Sequence, residues 1–232
     1  MIVLEAVDLT KEFLGGDGGT ITVLDGTSLQ VARGEMVAIV GASGAGKSTL
    51  LHLLGALDRP TRGHVSLAGE PLHSRSDDEL SALRNRSVGF VFQFHHLLRE
   101  FTALENVMMP LRIAGWPMER ARDRARGLLD RVGLGARTQH KPAALSGGEQ
   151  QRTAVARALA IDPIVLLADE PSGNLDHANS ERLHDLFAEL STDLETAMVI
   201  ATHNRSLASR ADRTLLLEDG RLSDTGVREV VP

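Results

Sequence analysis

Gly41-Ala42-Ser43-Gly44-Ala45-Gly46-Lys47-Ser48 decides how the rest of the chain is read. The octet fits G-x-x-x-x-G-K-[ST], the pattern of a phosphate-binding loop. Ahead of it, the apolar run from Met36 to Val40 predicts a buried strand. Behind it, Thr49-Leu-Leu-His-Leu-Leu54 predicts the first turns of a helix. That context is what confirms such a motif, and a glycine-rich turn that binds nothing would not need every fixed position and both flanks to agree. Glycines let successive N–H groups turn inward on an anion, and the helix start adds the positive end of its dipole. Lys47 is placed to reach the β- and γ-phosphates of a nucleoside triphosphate. The Ser48 hydroxyl is placed to help hold Mg²⁺, and Thr49 completes the expected binding stretch.

The remaining composition narrows the classes. At 232 residues the chain is long enough for one large core, or a core with a subdomain, and 42% apolar and 24% charged residues are ordinary for a globular protein. A net charge of −6 argues against a nucleic-acid partner, which wants a basic face. With no cysteine there is no disulfide framework, thiolate metal site or cysteine nucleophile. The start, Met1-Ile-Val-Leu-Glu5, has neither a basic region nor a long apolar core, so no signal peptide is expected. No apolar stretch approaches the roughly 20 residues of a membrane span, so the expectation is a soluble chain that reaches a membrane only through a partner.

In order along the chain, Ile2 to Leu9 predicts a strand, Gly15 to Gly19 a turn, and Ile21 to Leu24 and Ser28 to Val31 two further strands joined near Gly26. Early antiparallel strands beside a phosphate-loop core suggest a mixed sheet. His64 to Leu67 is a short strand, Ala68 to Pro71 a turn, and Ser76-Asp-Asp-Glu79 a capping box opening a helix to about Arg86. Val88 to Phe92 is a strand ending at Gln93. From Phe94 to about Lys141 the periodicity turns helical and arginine-rich, with a second capping box at Thr102-Ala-Leu-Glu105 and a further helix over Met118 to Val132. This stretch is expected to be a helical insertion. The α/β pattern then resumes: a helix from Ser146, a strand from Ile164 to Ala168, a helix from Ala178 to Asp193, a strand from Ala197 to Ala201, a short helix from Ser206, and a strand from Thr214 to Leu217 before a turn at Gly220. No role is legible in Val227 to Pro232. Alternating strands and helices predict an α/β fold with a largely parallel sheet.

Ligands of open α/β sheets lie at the C-terminal strand ends. Four groups are expected there: the phosphate loop, Gln93, the pair Asp169-Glu170, and His203. Asp169 can hold Mg²⁺ with Ser48, and Gln93 can reach the metal or the attacking water. Glu170 is the natural general base for that water, and His203 can hydrogen-bond the γ-phosphate. Taken alone, two acids at a strand end or one histidine would read as structural; an upstream phosphate loop changes that. A second glycine-rich helix start stands at Leu145-Ser146-Gly147-Gly148-Glu149-Gln150-Gln151. Ser146 and Glu149 have capping-box spacing. The two glycines lower helix propensity by about 1 kcal/mol each, and what they supply is bare N–H groups for another phosphate contact.

This set, with Ser172-Gly-Asn-Leu-Asp176 and Thr202-His203, resembles the ATP-binding-cassette family over nearly the whole chain and in the family's order. The resemblance implies a phosphate-loop NTPase core with a mixed sheet, N-terminal antiparallel strands and an inserted helical subdomain. It implies one cassette domain over residues 1–232, its core formed by 1–93 and 142–232 and its helical part by 94–141. It also implies a head-to-tail homodimer in which each ATP lies between the phosphate loop of one subunit and the signature of the other. Ser146, Gly147, Gly148 and Glu149 then act in trans, and Asp176 communicates across the interface. Phe13 stands where the family carries an adenine-stacking aromatic, often Tyr. Asn204 replaces a common Asp and Ser172 a common Thr; neither touches the proposed catalytic groups, so tuning and not loss is expected. More narrowly, the run from Phe92 to Val107 (FQFHHLLREFTALENV) with His52-Leu-Leu-Gly55 is similar to the ATPases of bacterial lipoprotein-releasing systems. That similarity implies a peripheral ATPase on the cytoplasmic face of the inner membrane, contacting integral-membrane subunits through the segment from Phe94 to Asn106. Macrolide-export and cell-division complexes are related alternatives. A non-transport cassette would be expected to carry coiled coils or tandem cassettes, and a silent nucleotide sensor a defect at Glu170 or His203; neither is seen.

Overall fold

The computed structural model describes residues 1–16 and 18–224; the tail from Val227 to Pro232 lies outside them. Strands β1 (Ile2–Leu14) and β2 (Thr20–Ala32) precede β3 (Met36–Val40) and helix α1 (Lys47–Leu54). Next come β4 (Arg62–Leu67), β5 (Glu70–Pro71), α2 (Asp77–Ser87), β6 (Val88–Phe92), α3 (Ala103–Ile113) and α4 (Met118–Arg131). The chain continues through α5 (Gly147–Ala158), β7 (Val165–Asp169), α6 (His177–Leu194), β8 (Ala197–Ala201), α7 (Arg205–Ala208), β9 (Arg213–Glu218) and β10 (Arg221–Asp224).

The strands form two sheets. β2-β1-β4-β5 is antiparallel throughout, and β10-β9-β3-β8-β7-β6 is parallel except for β10. The core sheet is mixed, as expected, with the early antiparallel strands as a separate layer beside it; its antiparallel member is β10, a strand hidden in a short polar run after the Gly220 turn. Ile21 to Leu24 and Ser28 to Val31 are not separate strands. Gly26, at φ 68°, lets one strand continue through an irregular register instead of breaking. Part of the turn expected at Ala68 to Pro71 pairs as β5.

Side-chain alternation organises the core. On β7, Val165 and Leu167 pack with α1 and the antiparallel sheet, while Leu166 and Ala168 pack with α3, α4, α5 and α6. β8 divides the same way: Ala197, Val199 and Ala201 on one side, Met198 and Ile200 on the other. These strands have no solvent face, which is why they read as continuous apolar runs and not as alternating ones. The same period sends Asp169 to the α1 side. Gly89 lets α5 lie close to β6, since a Cβ there would sit 2.5 Å from the Ala158 carbonyl oxygen. Gly89→Ala is therefore expected to lower stability by about 1–3 kcal/mol, seen as a lower urea midpoint at unchanged slope; an unchanged midpoint would refute the close-packing account.

Candidate functional site

The loop after β3 is shaped by glycines at points of contact. A Cβ on Gly41 would stand 2.4 Å from the Leu217 carbonyl oxygen of the neighbouring strand. Gly46, at φ 101°, starts α1 with no side-chain cap, and no acidic residue occupies the first turn. The leading N–H groups of α1 are thus left for an external anion. Lys47 is 8% exposed, and its ammonium donates to the Gly41 oxygen at 2.8 Å and the Ala42 oxygen at 3.0 Å. It also lies 3.9 Å from Glu170 Oε1.

Strand register aligns the other groups. Phe92 pairs with Asp169 and Asp169 with Ala201, so Gln93, Glu170 and Thr202-His203 leave three adjacent parallel strands at one level. They meet the phosphate loop around a cavity of about 660 Å³ lined by Ser43, Gly44, Gly46, Lys47, Ser48, Thr49, Gln93, Asp169, Glu170, His203 and Val23. Gly41, Ala42 and Ala45 are not among the lining residues. Val23, on β2, was not legible in the sequence: it is an ordinary strand residue, brought to the rim because the antiparallel sheet packs beside Gly46.

Asp169 Oδ1 is buried without a hydrogen-bond partner. An unpaired oxygen on a carboxylate that lines the same cavity as Ser48 fits a divalent cation. Among the described residues no cluster of three His, Cys, Asp or Glu forms a metal cage. Mg²⁺ is usually held by one or two carboxylates together with substrate phosphates and water, and Asp169 and Ser48 are the groups present here that could hold it. Glu170 adopts φ 43°, an uncommon backbone for a non-glycine residue. Its backbone N–H donates to the Ala201 oxygen, while its Oε2 accepts from the His203 N–H at 3.2 Å and lies 2.9 Å from His203 Nδ1. The Gln93 side-chain amide donates to Asn174 Oδ1, and Asn174 donates back to the Gln93 carbonyl.

Three expected groups are not brought to this cavity within the subunit. Ser146 to Glu149 begin α5, where Ser146 Oγ accepts from the Glu149 N–H and Glu149 Oε2 accepts from the Ser146 N–H. Gly148 also has a packing reason, since a Cβ would meet Asn179 Oδ1 at 2.5 Å, whereas Gly147 is open apart from Leu175. Asp176 caps α6 through the Asn179 N–H. Phe13 lies on β1, 42% exposed, with the Lys11 ammonium 5.0 Å from its ring centre.

Several supporting contacts were not legible in the sequence. Fully buried Gln151 donates to the Phe92 carbonyl, and Arg157 donates to the carbonyls of His95 and His96. α5 therefore grips both sides of Gln93. Buried Asn106 donates to the Leu98, Phe101 and Thr102 carbonyls and accepts from the Leu98 N–H, shaping the segment ahead of α3. The substituted Asn204 caps α7 through the Leu207 N–H.

The fold and cavity define a nucleoside-triphosphate hydrolase of the phosphate-loop class. The ABC transporter family profile matches residues 24–173. The lipoprotein-releasing system ATP-binding protein LolD of Geobacter metallireducens is 55% identical over 221 residues, covering 95% of this chain and 97% of that protein. The protein of the same name from Pseudomonas fluorescens is 53% identical over 220 residues, covering 95% and 96%. Among solved structures, a dimeric ATP-binding cassette in a post-hydrolysis state, bound to ADP and Pi, superposes with a TM-score of 0.89 at 37% identity, covering 98% of this chain and 100% of that one. The chain belongs to the ABC transporter family of ATPases.

The capping box supplies a pH test. The Ser146 N–H held against its carboxylate, with the Ser146 hydroxyl and Arg137 adding to it, keeps Glu149 below its ordinary 4.5. A depressed folded-state pKa stabilises above the unfolded value and loses that contribution as pH falls through the folded value. Glu149→Ala should therefore cost stability fully near neutral pH, and the gap to wild type should close on acidification, measured by urea unfolding across the acid range. A pH-independent gap would remove the charge from the account.

Proposed function

We infer that this chain is the ATP-hydrolysing subunit of a membrane transporter that releases lipoproteins from the inner membrane for transfer to the outer membrane. The observation that carries the catalytic part is the Glu170 carboxylate, bonded to His203 and facing buried Lys47 across the phosphate-loop cavity. The transport role rests on the extended identity to lipoprotein-releasing ATP-binding proteins.

In this reading ATP lies along Gly41 to Thr49, its phosphates on the loop N–H groups and Lys47. Glu170 accepts a proton from the attacking water as its oxygen adds to the γ-phosphorus, and the bond to the β–γ bridging oxygen breaks to leave ADP. His203 orients Glu170 and contacts the γ-phosphate. Lys47 takes up charge developing on the transferred group. Ser48, Gln93 and Asp169 would hold Mg²⁺, which supplies charge neutralisation of the phosphates. Phe13 stacks on the adenine. Ser146, Gly147, Gly148 and Glu149 complete the site of a second subunit, and Asp176 communicates across that homodimer. The chain acts as one cassette, with residues 94–141 as its helical subdomain, peripheral on the cytoplasmic face. The segment from Phe94 to Asn106 contacts integral-membrane subunits. No helix among the described residues is long and apolar enough to cross a membrane.

Glu170→Gln should retain ATP binding, lose turnover by at least about 10²-fold and accumulate dimers in ATP; wild-type turnover would remove Glu170 from its role. Lys47→Ala should lose ATP affinity, and unchanged binding would count against the loop. Mixing Ser146→Arg with Lys47→Ala subunits should restore activity above either parent, because one mixed site is intact. Mixed dimers without activity would argue against shared sites. The transport reading is checked by capture from detergent-solubilised membranes, where four-span partners with large periplasmic domains should accompany the chain.

A further inference from the structure

Behind the site, a buried polar group is left unused by the chemistry above. His184 on α6 is fully buried. Its Nε2 stands 3.0 Å from Ser172 Oγ, in the loop that leads from Glu170 to Asp176. Its Nδ1 lies 3.4 Å from Glu181 Oε1, too poorly placed for a good hydrogen bond but within electrostatic contact. Glu181 in turn accepts from the Ser206 hydroxyl at 2.8 Å and from Arg210 at 2.7 Å. Ser206 lies on α7, three residues after His203. Arg210 also bridges to Asp185.

Two lines of polar contacts therefore join the same two segments. One is at the cavity, between Glu170 and His203. The other runs behind it, from Ser172 through His184 and Glu181 to Ser206 and Arg210. With Nδ1 facing a carboxylate, the ring proton belongs there, and Nε2 accepts from the Ser172 hydroxyl. Burial pushes His184 below its ordinary 6.5, opposed by Glu181 and Asp185 and assisted by Arg210, which favours that neutral ring. A buried hydrogen-bonded histidine is costly to leave unpaired, so the contact fixes the loop strictly.

We propose that His184 and Ser172 form a positioning pair for ATP hydrolysis, holding the loop that carries Glu170 in alignment with the segment that carries His203. Neither side chain touches the nucleotide. Their effect is on the geometry of Glu170, whose uncommon backbone must be held by its surroundings. The proposal rests on the role given to Glu170 above.

The test uses steady-state ATPase kinetics of the full chain. Ser172→Ala and His184→Leu should each lower kcat about tenfold, a modest misplacement of a catalytic group, with KM for ATP changed by less than about twofold. The double variant should fall no further than the weaker single, because one contact is lost in each case. His184→Gln, whose amide oxygen can accept from Ser172, should restore most of the rate. Full turnover by Ser172→Ala, losses that multiply in the double variant, or a raised KM at constant kcat would overturn the proposal. If His184→Leu does not fold, Ser172→Ala at an unchanged thermal midpoint decides alone. A wild-type chain without ATPase activity would instead remove the catalytic reading itself, as would full activity in Glu170→Gln.

Discussion

A parallel sheet buried on both faces has nowhere along its strands to keep an unpaired polar group. β3, β7 and β8 are in that position: their side chains alternate between two apolar layers, and polar chemistry must wait for the strand ends. In-register pairing then brings those ends out together. Gln93, Asp169, Glu170 and His203 converge because the apolar runs before them are held in register. The convergence of these four groups is thus a consequence of hydrophobic burial and ladder pairing before it is a matter of side-chain contacts.

At those ends the electrostatics are closely balanced. The Lys47 ammonium is held by two carbonyl oxygens of its own loop and stands near Glu170. A buried cation solvated by backbone dipoles can shift to phosphate oxygens without being stranded, so the loop is organised before its ligand arrives. Glu170 is positioned from several directions: its backbone to β8, its carboxylate to His203, and its carbonyl to the Gly173 N–H. The Asp169 oxygen beside it is buried without a protein hydrogen-bond partner, an arrangement that a cation would satisfy.

α5 joins two functions that look separate in sequence. Its first turn is a capping box with two glycines, a local solution to helix initiation that also presents backbone donors. Further along, Gln151 and Arg157 hold the carbonyls on either side of Gln93. A displacement of the segment after Gln93 is therefore felt by the helix that begins with the two-glycine capping box. The arginine contacts are to backbone oxygens, so they depend on where the chain runs and not on which side chains it carries there.

The sequence alone determined the phosphate loop, the acidic strand end, the three capping boxes and the order of strands and helices. Each of these is written in neighbouring residues: glycine spacing, an S-x-x-E pattern, or an unbroken apolar run. It missed β10, merged neither half of β2, left Val23, Arg157 and His184 unmarked, and did not show what Gln151 holds, because these roles come from partners far away in the chain. A polar strand such as Arg221–Asp224 shows itself only when β9 offers an edge, and Gly26 breaks a strand on paper while merely bending it against β1. Local chemistry specified which groups are available to act; long-range pairing and packing decided which of them meet.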